Sequence, residues 1–159
     1  MPDRTHRYQV SLLWTGNGEH DGASRQAHHQ RSYELHCTGR PVIDGSASPA
    51  FRGDSQKWNP EKLLLGALCA DHQLWFIHLC TAMGIGILSY ADHAEGILEE
   101  FDDGSFSFTQ VILRPHAALS TAHDVKQVID LHHDAAMRSC IARSVRFPVT
   151  CEPRVTSAQ

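Results

Sequence analysis

Residues 59–83 read as one long helix, and this stretch constrains the fold more than any other part of the chain. Asn59 suits the N-cap, Pro60 suits the first helical position, and Glu61 lies at the positive end of the helix dipole. Gly84 and Gly86 offer a stop just after the last turn. Because the helix is long and apolar, we expect it to form the centre of the core.

A carboxylate stands in the most apolar face of this helix. Steps of three and four residues place Asp71 between Leu68 and Trp75. A lone carboxylate on a core-facing stripe is costly unless it is paired or protonated. Asp71 is therefore the first candidate for a site. The predicted stripe consists of Leu64, Leu68, Asp71, Trp75, His78 and Leu79.

Composition predicts one globular domain over 1–159, with its core at about 6–153. Hydrophobic residues make up 42% of the chain and charged residues 20%, which are ordinary globular values. The net charge of −4 argues against a nucleic-acid partner. No signal peptide and no membrane-spanning run stand out, so we expect a cytoplasmic protein without a membrane partner.

The five cysteines do not form a recognisable framework. Their number is odd and no CxxC pair occurs, which is atypical of a secreted disulfide scaffold or a structural zinc site. A free cysteine is most often a small buried hydrophobe. Asp71, His72 and nearby histidines lack a dependable metal-ligand spacing, so we expect neither a metal nor a cofactor.

The remaining pattern predicts the element order β-β-α-β-β-α-β, an α+β architecture. Strands are expected at 6–14, 30–37, 85–99, 106–113 and 145–155, with Pro115 closing the fourth. A hairpin connection is expected at 15–22 and a long loop at 39–58. A second helix is expected at 122–142, where Thr121 and Asp124 resemble a capping box. Its predicted inner row consists of Val125, Val128, Ile129, His132, Ala136 and Cys140.

The inner faces of the two helices carry the candidate site residues, which are Glu61, Asp71, His72, His132 and Cys140. Cys140 lies near the end of the second helix, where it is a poor nucleophile unless an arginine is close. From the residues alone, the chain is a domain with an unusual Asp and an unassigned Cys.

Four separated blocks, in the same order, resemble the OsmC/Ohr family and more closely its OsmC-like branch. The resemblance covers essentially the whole chain from Tyr8 to Pro153. Its blocks are the Ser-Ala-x-Pro-x-Phe-Arg-Gly-Asp run at 46–54, Asn-Pro-Glu-x-Leu-Leu at 59–64, the His-x-x-Trp-x-x-His-Leu pattern at 72–79, and Cys-Ile-Ala-Arg-Ser-Val-x-Phe-Pro-Val at 140–149.

The resemblance implies an intertwined homodimer, in which strands wrap two long central helices and the site lies at the subunit interface. It also implies a thiol-dependent reductase of organic hydroperoxides. A peroxidatic Cys on the first central helix becomes a sulfenic acid, which condenses with a second Cys on the other helix. A nearby Arg and Glu activate the thiolate, and a dithiol of the dihydrolipoyl type reduces the disulfide.

This chain matches the family's site only in part. Cys140 matches the second Cys and Glu61 matches the motif Glu, but Asp71 stands at the position of the peroxidatic Cys. Residues 20–22 read His-Asp-Gly where relatives carry Arg-Asp-Gly, so Arg52 is the candidate substitute partner for Asp71. Since a carboxylate cannot form a sulfenic acid or a disulfide, the two-Cys cycle is not available as written.

Three functions stay open from the sequence. The first is an OsmC-like dimer that binds an apolar or anionic ligand in a pocket formed by Phe51, Leu68, His72 and Trp75. The second is a one-Cys peroxidase that uses Cys140 or Cys69 with an external thiol. The third is an interaction dimer in which a salt bridge neutralises Asp71. Whether the chain is an enzyme is thus undecided at this level.

Overall fold

The computed structural model describes residues 4–16, 31–120 and 122–157 of the chain, which falls into two compact units, 1–63 and 64–159. The first unit holds a three-stranded antiparallel sheet of β1 (Ser11–Trp14), β2 (Ser32–His36) and β3 (Ile43–Ser46), with β2 in the centre. A 3₁₀ turn follows at Pro49–Phe51. The strand β3 corrects the sequence prediction of a long loop over 39–58, because four consecutive residue pairs, from Ser32–Ser46 to Leu35–Ile43, join it to β2.

The long helix α1 (Pro60–Ala82) has the bounds that the sequence predicts to within one residue. The side-chain oxygen of Asn59 accepts a hydrogen bond of 2.8 Å from the backbone N–H of Lys62, so the predicted N-cap is confirmed. Gly84 has a φ of 70°, a left-handed conformation that suits glycine at a helix end. Local sequence signals therefore determine both ends of α1.

The second unit contains two mixed three-stranded sheets. Its elements are β4 (Ile87–Asp92), β5 (Glu95–Glu100), β6 (Phe106–Leu113), β7 (Pro115–Leu119), α2 (Val125–Arg138), β8 (Val149–Cys151) and β9 (Arg154–Thr156). One sheet has the order β4-β7-β9 and the other has the order β5-β6-β8. The pairs β4–β7 and β5–β6 are antiparallel, whereas the pairs β7–β9 and β6–β8 are parallel. Two helices with mixed sheets make the α+β fold that the sequence predicts.

Three predicted strand boundaries are wrong. The stretch 85–99 is two strands of different sheets rather than one bent strand. Pro115 begins β7 instead of closing β6, a position where its missing N–H is tolerated. The last predicted strand, 145–155, follows a 3₁₀ turn at Ala142–Ser144; it begins with irregular backbone and then divides into β8 and β9, which pair with β6 and β7. Alternation along the chain does not reveal a change of sheet, which explains these errors.

The buried row of α1 differs from the predicted stripe by one position. It consists of Leu68, His72, Phe76 and Cys80, spaced four residues apart. Phe76 packs in one cluster with Val128 and Leu119, whereas Leu68 packs in another with residues of β6. Asp71 is only half-buried, beside this row rather than inside it. The core-facing polar side chain of α1 is therefore His72 and not Asp71.

The second helix is shorter than predicted. It begins after Asp124, whose carboxylate accepts a hydrogen bond from the N–H of Lys126 and forms the N-cap. Its buried residues are Val128, Leu131, His132 and Ala135, whereas Val125 is exposed. Cys140 lies beyond its last residue and is exposed. Thr121 and most of the predicted hairpin connection at 15–22 lie outside the described residues.

Contrary to the sequence expectation, α1 is long and apolar enough, by length and composition alone, to cross a membrane. This is weak support for a span, because the core helix of a soluble protein meets the same criterion. The packing of Phe76 and Leu68 into two core clusters is what such a core helix requires.

Candidate functional site

The Asp71 carboxylate is held by three consecutive residues that follow α2. One oxygen accepts hydrogen bonds from the Ser139 hydroxyl at 2.5 Å and from the backbone N–H of Ile141 at 3.1 Å. The other accepts a weak bond from the Cys140 thiol at 3.9 Å. These three hydrogen bonds therefore offset the cost of partly burying the Asp71 carboxylate, which the sequence predicts.

The end of α2 creates this arrangement. The chain leaves the helix at Ser139, whose φ and ψ of −58° and 116° turn the following backbone out of the helical path. The Ser139 side chain is buried, donates to Asp71 and accepts from the N–H of Ala142 at 3.0 Å. Ser139 thus links the turn to α1. Sequence reasoning missed it, although its place directly before Cys140 was a usable signal.

An open pocket of about 350 Å³ lies next to the carboxylate, lined by Asp71, Leu74, Trp75 and His78. The guanidinium of Arg138 stands 5.8 Å from the centre of the Trp75 ring, within the range of a cation–π contact. The pocket therefore combines an acceptor, an aromatic face and an aliphatic side chain. Larger open depressions occur elsewhere, but the one of about 580 Å³ beside β4 has no carboxylate, His or Cys in its lining.

The residues predicted for the ligand pocket are not gathered in one place. Trp75 lines the open pocket, whereas Leu68 and His72 are buried in the core at 1% exposure each. Phe51 and Arg52 belong to the first unit, so their pairing with the Asp71 pocket stays a prediction. Arg52 has a φ of 61°, which is uncommon for a residue other than glycine.

Glu61 lies in the first turn of α1, as the motif predicts. One of its carboxylate oxygens is buried and has no hydrogen-bond partner among the described residues. The hydroxyl of Tyr33 is also buried and has no hydrogen-bond partner among the described residues. Burial raises the pKa of Tyr33, and the negative charge of Glu61 raises it further. The first unit therefore contains a carboxylate and a phenol with unused hydrogen-bonding capacity.

The other thiols near the core are poor candidates for nucleophiles. Burial, followed by the charge of Asp92, raises the pKa of Cys69 to about 11. Burial raises the pKa of Cys80 to about 11 as well. Since the thiolate is the reactive form, these two residues are almost entirely unreactive thiols at neutral pH. Cys140 is the exposed thiol beside Asp71.

Ser139→Ala should destabilise the fold by about 1–3 kcal/mol, because it leaves a half-buried carboxylate and a backbone N–H each short of a partner. Chemical denaturation measures this change. The matched control is Ser144→Ala, since the Ser144 hydroxyl donates 2.8 Å to the Cys140 carbonyl from an exposed position and its loss should cost less. Equal losses in the two variants would contradict a special role for Ser139.

Comparison with known proteins identifies the family and the fold. Residues 53–154 match the family model described as OsmC-like protein, and the chain belongs to this family. An OsmC-like protein of unknown function from Vibrio cholerae is similar over 94% of this chain and 99% of its own, with a TM-score of 0.83 and 26% identity.

Two further structures share the fold at lower identity. An organic hydroperoxide resistance protein OsmC from Legionella pneumophila has a TM-score of 0.67 and 16% identity, covering 95% of this chain and 97% of its own. An organic hydroperoxide resistance protein from Elizabethkingia anophelis, with thiocyanate bound, has a TM-score of 0.66 and 14% identity. The match covers 96% of this chain and 99% of that protein's chain. No significant match was found among curated proteins.

Proposed function

We propose that this OsmC-like protein does not run the two-Cys hydroperoxide cycle and instead uses the Asp71 pocket to bind a small organic ligand. Structural neighbours named organic hydroperoxide resistance proteins support an origin in peroxide defence. The observation that carries the proposal is the carboxylate of Asp71, which receives hydrogen bonds from Ser139, Cys140 and Ile141. A carboxylate in this place cannot be oxidised to a sulfenic acid.

The thiol beside Asp71 is better suited to donate a hydrogen bond than to attack a peroxide. The Cys140 sulfur lies 3.9 Å from an Asp71 oxygen. In this contact the thiol is the donor and the carboxylate is the acceptor, so attack on a peroxide would require the contact to be given up. The resemblance implies that other family members carry a Cys at both of these positions. In them one sulfur is oxidised to a sulfenic acid and the other then forms a disulfide with it.

The pocket suits a ligand with an apolar part and a hydrogen-bond donor. Trp75 and Leu74 provide apolar contact area, while the Asp71 oxygen that meets only the weak Cys140 donor can accept a further hydrogen bond. At about 350 Å³, the pocket is at the small end of the range for drug-sized molecules. No metal or cofactor is needed for such binding.

We also propose that the functional form is a homodimer in the cytoplasm. Three large apolar side chains of the second unit are strongly exposed: Leu74 at 65%, Leu88 at 69% and Met137 at 76%. Leu74 lines the open pocket, so a second copy that packs against Leu74 would also enclose the ligand. Light scattering of the purified chain tests the proposed dimer.

The proposed function predicts no consumption of an organic hydroperoxide above background, in the presence of a dithiol reductant, by either the wild type or Cys140→Ser. The reason is that the residue at the peroxidatic position has no sulfur. The assay follows loss of hydroperoxide over time, with a known thiol peroxidase as the positive control. Turnover by the wild type would contradict the proposal.

The same experiment addresses the second candidate, a one-Cys peroxidase. The observation that favours it is the exposure of Cys140 together with an adjacent carboxylate that can accept its proton. In that mechanism the sulfur attacks the hydroperoxide, releases the alcohol and becomes a sulfenic acid, which an external dithiol reduces. Turnover that disappears in Cys140→Ser would establish this alternative, whereas turnover that survives would point to another thiol.

A further inference from the structure

Three soft or borderline metal ligands meet inside the second unit, apart from the Asp71 carboxylate. His72 comes from α1, His132 from α2 and Cys151 from the end of β8. One ligand atom from each lies within 4.8 Å of the other two. Both histidines are fully buried, at 1% and 0% exposure, and Cys151 is half-buried. The fold thus brings His72 next to residues that lie 60 and 79 positions further along the chain.

The hydrogen bonding of this cluster is incomplete. His72 Nε2 lies 3.0 Å from His132 Nδ1 and 3.6 Å from Cys151 Sγ. A neutral imidazole carries one N–H and one lone pair, so His72 Nε2 makes one full hydrogen bond and not two. The outer nitrogens, His72 Nδ1 and His132 Nε2, are buried without a partner among the described residues. One N–H of the pair therefore stays unsatisfied in either tautomer.

The geometry favours one kind of occupant. The two imidazole rings are parallel within 9° and their centres are 5.4 Å apart, with the two nitrogens between them, so the rings face each other edge to edge. Their lone pairs point along one line at a shared proton. An ion with nearly linear coordination can replace that proton once the nitrogens move apart by about 1 Å from their 3.0 Å separation, since each metal–nitrogen bond needs about 2 Å. A tetrahedral ion needs converging lone pairs and a fourth ligand.

We propose that His72, His132 and Cys151 form a binding site for a monovalent soft metal ion, Cu(I). Thiolate and imidazole are ligands that copper prefers. Binding exchanges the thiol proton of Cys151 for the ion and leaves each imidazole neutral, with its proton on the outer nitrogen. No electron is transferred, because the metal enters and stays as Cu(I).

The surroundings provide room and charge for such an ion. A small enclosed cavity of about 30 Å³, the size of one water, lies against His72 and Cys151. Asp92 acts electrostatically on both of these residues, and one of its oxygens is buried without a partner among the described residues. That carboxylate places a negative charge near the site.

The test is a competition for Cu(I) between the purified full chain and a chromophoric Cu(I) chelator, without oxygen. We expect the wild type to retain about one equivalent, with one sulfur and two nitrogens in its X-ray absorption spectrum. Cys151→Ser should lower the affinity at least tenfold, and His132→Gln should do so independently if the serine variant is unfolded by circular dichroism.

Two other cysteines provide matched controls. Cys80→Ser removes a thiol that is also buried, in a different core cluster, and Cys37→Ser removes an exposed thiol of the first unit. Both variants should retain the metal. The proposal is overturned if the folded wild type does not retain Cu(I) against the chelator. It is also overturned if Cys37→Ser abolishes the retention of Cu(I) and Cys151→Ser does not. Because the site is separate from the Asp71 pocket, neither result bears on the proposed ligand binding.

Discussion

Asp71→Cys should produce a chain that forms a disulfide between positions 71 and 140 when an organic hydroperoxide is added. Position 71 already lies within 3.9 Å of the Cys140 sulfur, measured from a carboxylate oxygen. The Ser139 hydroxyl and the Ile141 N–H that donate to the carboxylate would donate equally to a thiolate. The introduced sulfur attacks the hydroperoxide and releases the alcohol, and Cys140 then displaces water from the sulfenic acid.

The expected effect is large, from no peroxide-dependent cross-link in the wild type to nearly one disulfide per chain in the variant. Mass spectrometry under non-reducing conditions measures it, after a stoichiometric dose of hydroperoxide. Asp71→Ser is the matched control, since it removes the carboxylate without adding a sulfur. Asp71→Cys combined with Cys140→Ser should stop at the sulfenic acid. If the single variant forms no 71–140 disulfide although it is folded, the assignment of Asp71 to the peroxidatic position is wrong.

The sequence predicts the helix α1 and its ends well because local signals decide them. Asn59 caps the first turn and Gly84 takes the left-handed conformation, and both are readable from residue type alone. The strands are less predictable. The change of sheet between β4 and β5 occurs because β4 pairs with β7, from Asp92 with Pro115 to Ile87 with Leu119, whereas β5 pairs with the nearer strand β6.

The candidate site, too, is predictable from the sequence only in part. The family resemblance directs attention to Asp71 and Cys140, and the structure brings their side chains to 3.9 Å. The contribution of Ser139 depends on the exact residue at which α2 ends, a boundary that the sequence places four residues too late. The meeting of His72 with His132 depends on the packing of two helices. The buried row of α1 contains His72, whereas the sequence predicts Asp71, one position earlier, as the core-facing polar residue.

Acid should destabilise the fold through the same pair of buried histidines. Burial, followed by His72 and His133, lowers the pKa of His132 to about 3. Burial also lowers the pKa of His72, against the smaller opposing effects of Asp92 and Asp71. In the unfolded chain both residues titrate near pH 6.5. Below that pH the unfolded chain binds more protons than the folded chain, so the free energy of unfolding falls as the pH decreases.

The expected slope is about 1.4 kcal/mol per pH unit for each neutral buried histidine, over the range from about 6.5 down toward 3 for His132. His132 alone should therefore cost about 2 kcal/mol between pH 6.5 and 4.5, a large part of the stability of an ordinary domain. Above pH 7 the pair should contribute no pH dependence. Denaturant titrations at closely spaced pH values, in the presence of a metal chelator, measure the slope.

His132→Gln separates this effect from the general acid sensitivity of the carboxylates, since glutamine keeps a polar side chain but does not titrate. The variant is expected to be less stable at pH 7, yet its stability should fall less steeply between pH 6.5 and 4.5 than that of the wild type. The control is His93→Gln, because His93 is exposed and its replacement should leave the slope unchanged. Equal slopes in the wild type and His132→Gln would mean that His132 becomes protonated without unfolding. A protonated His132 can keep its contact with His72 by donating from Nδ1 to the His72 Nε2 lone pair, so the fold would have to accommodate the charge at the buried outer nitrogen, His132 Nε2.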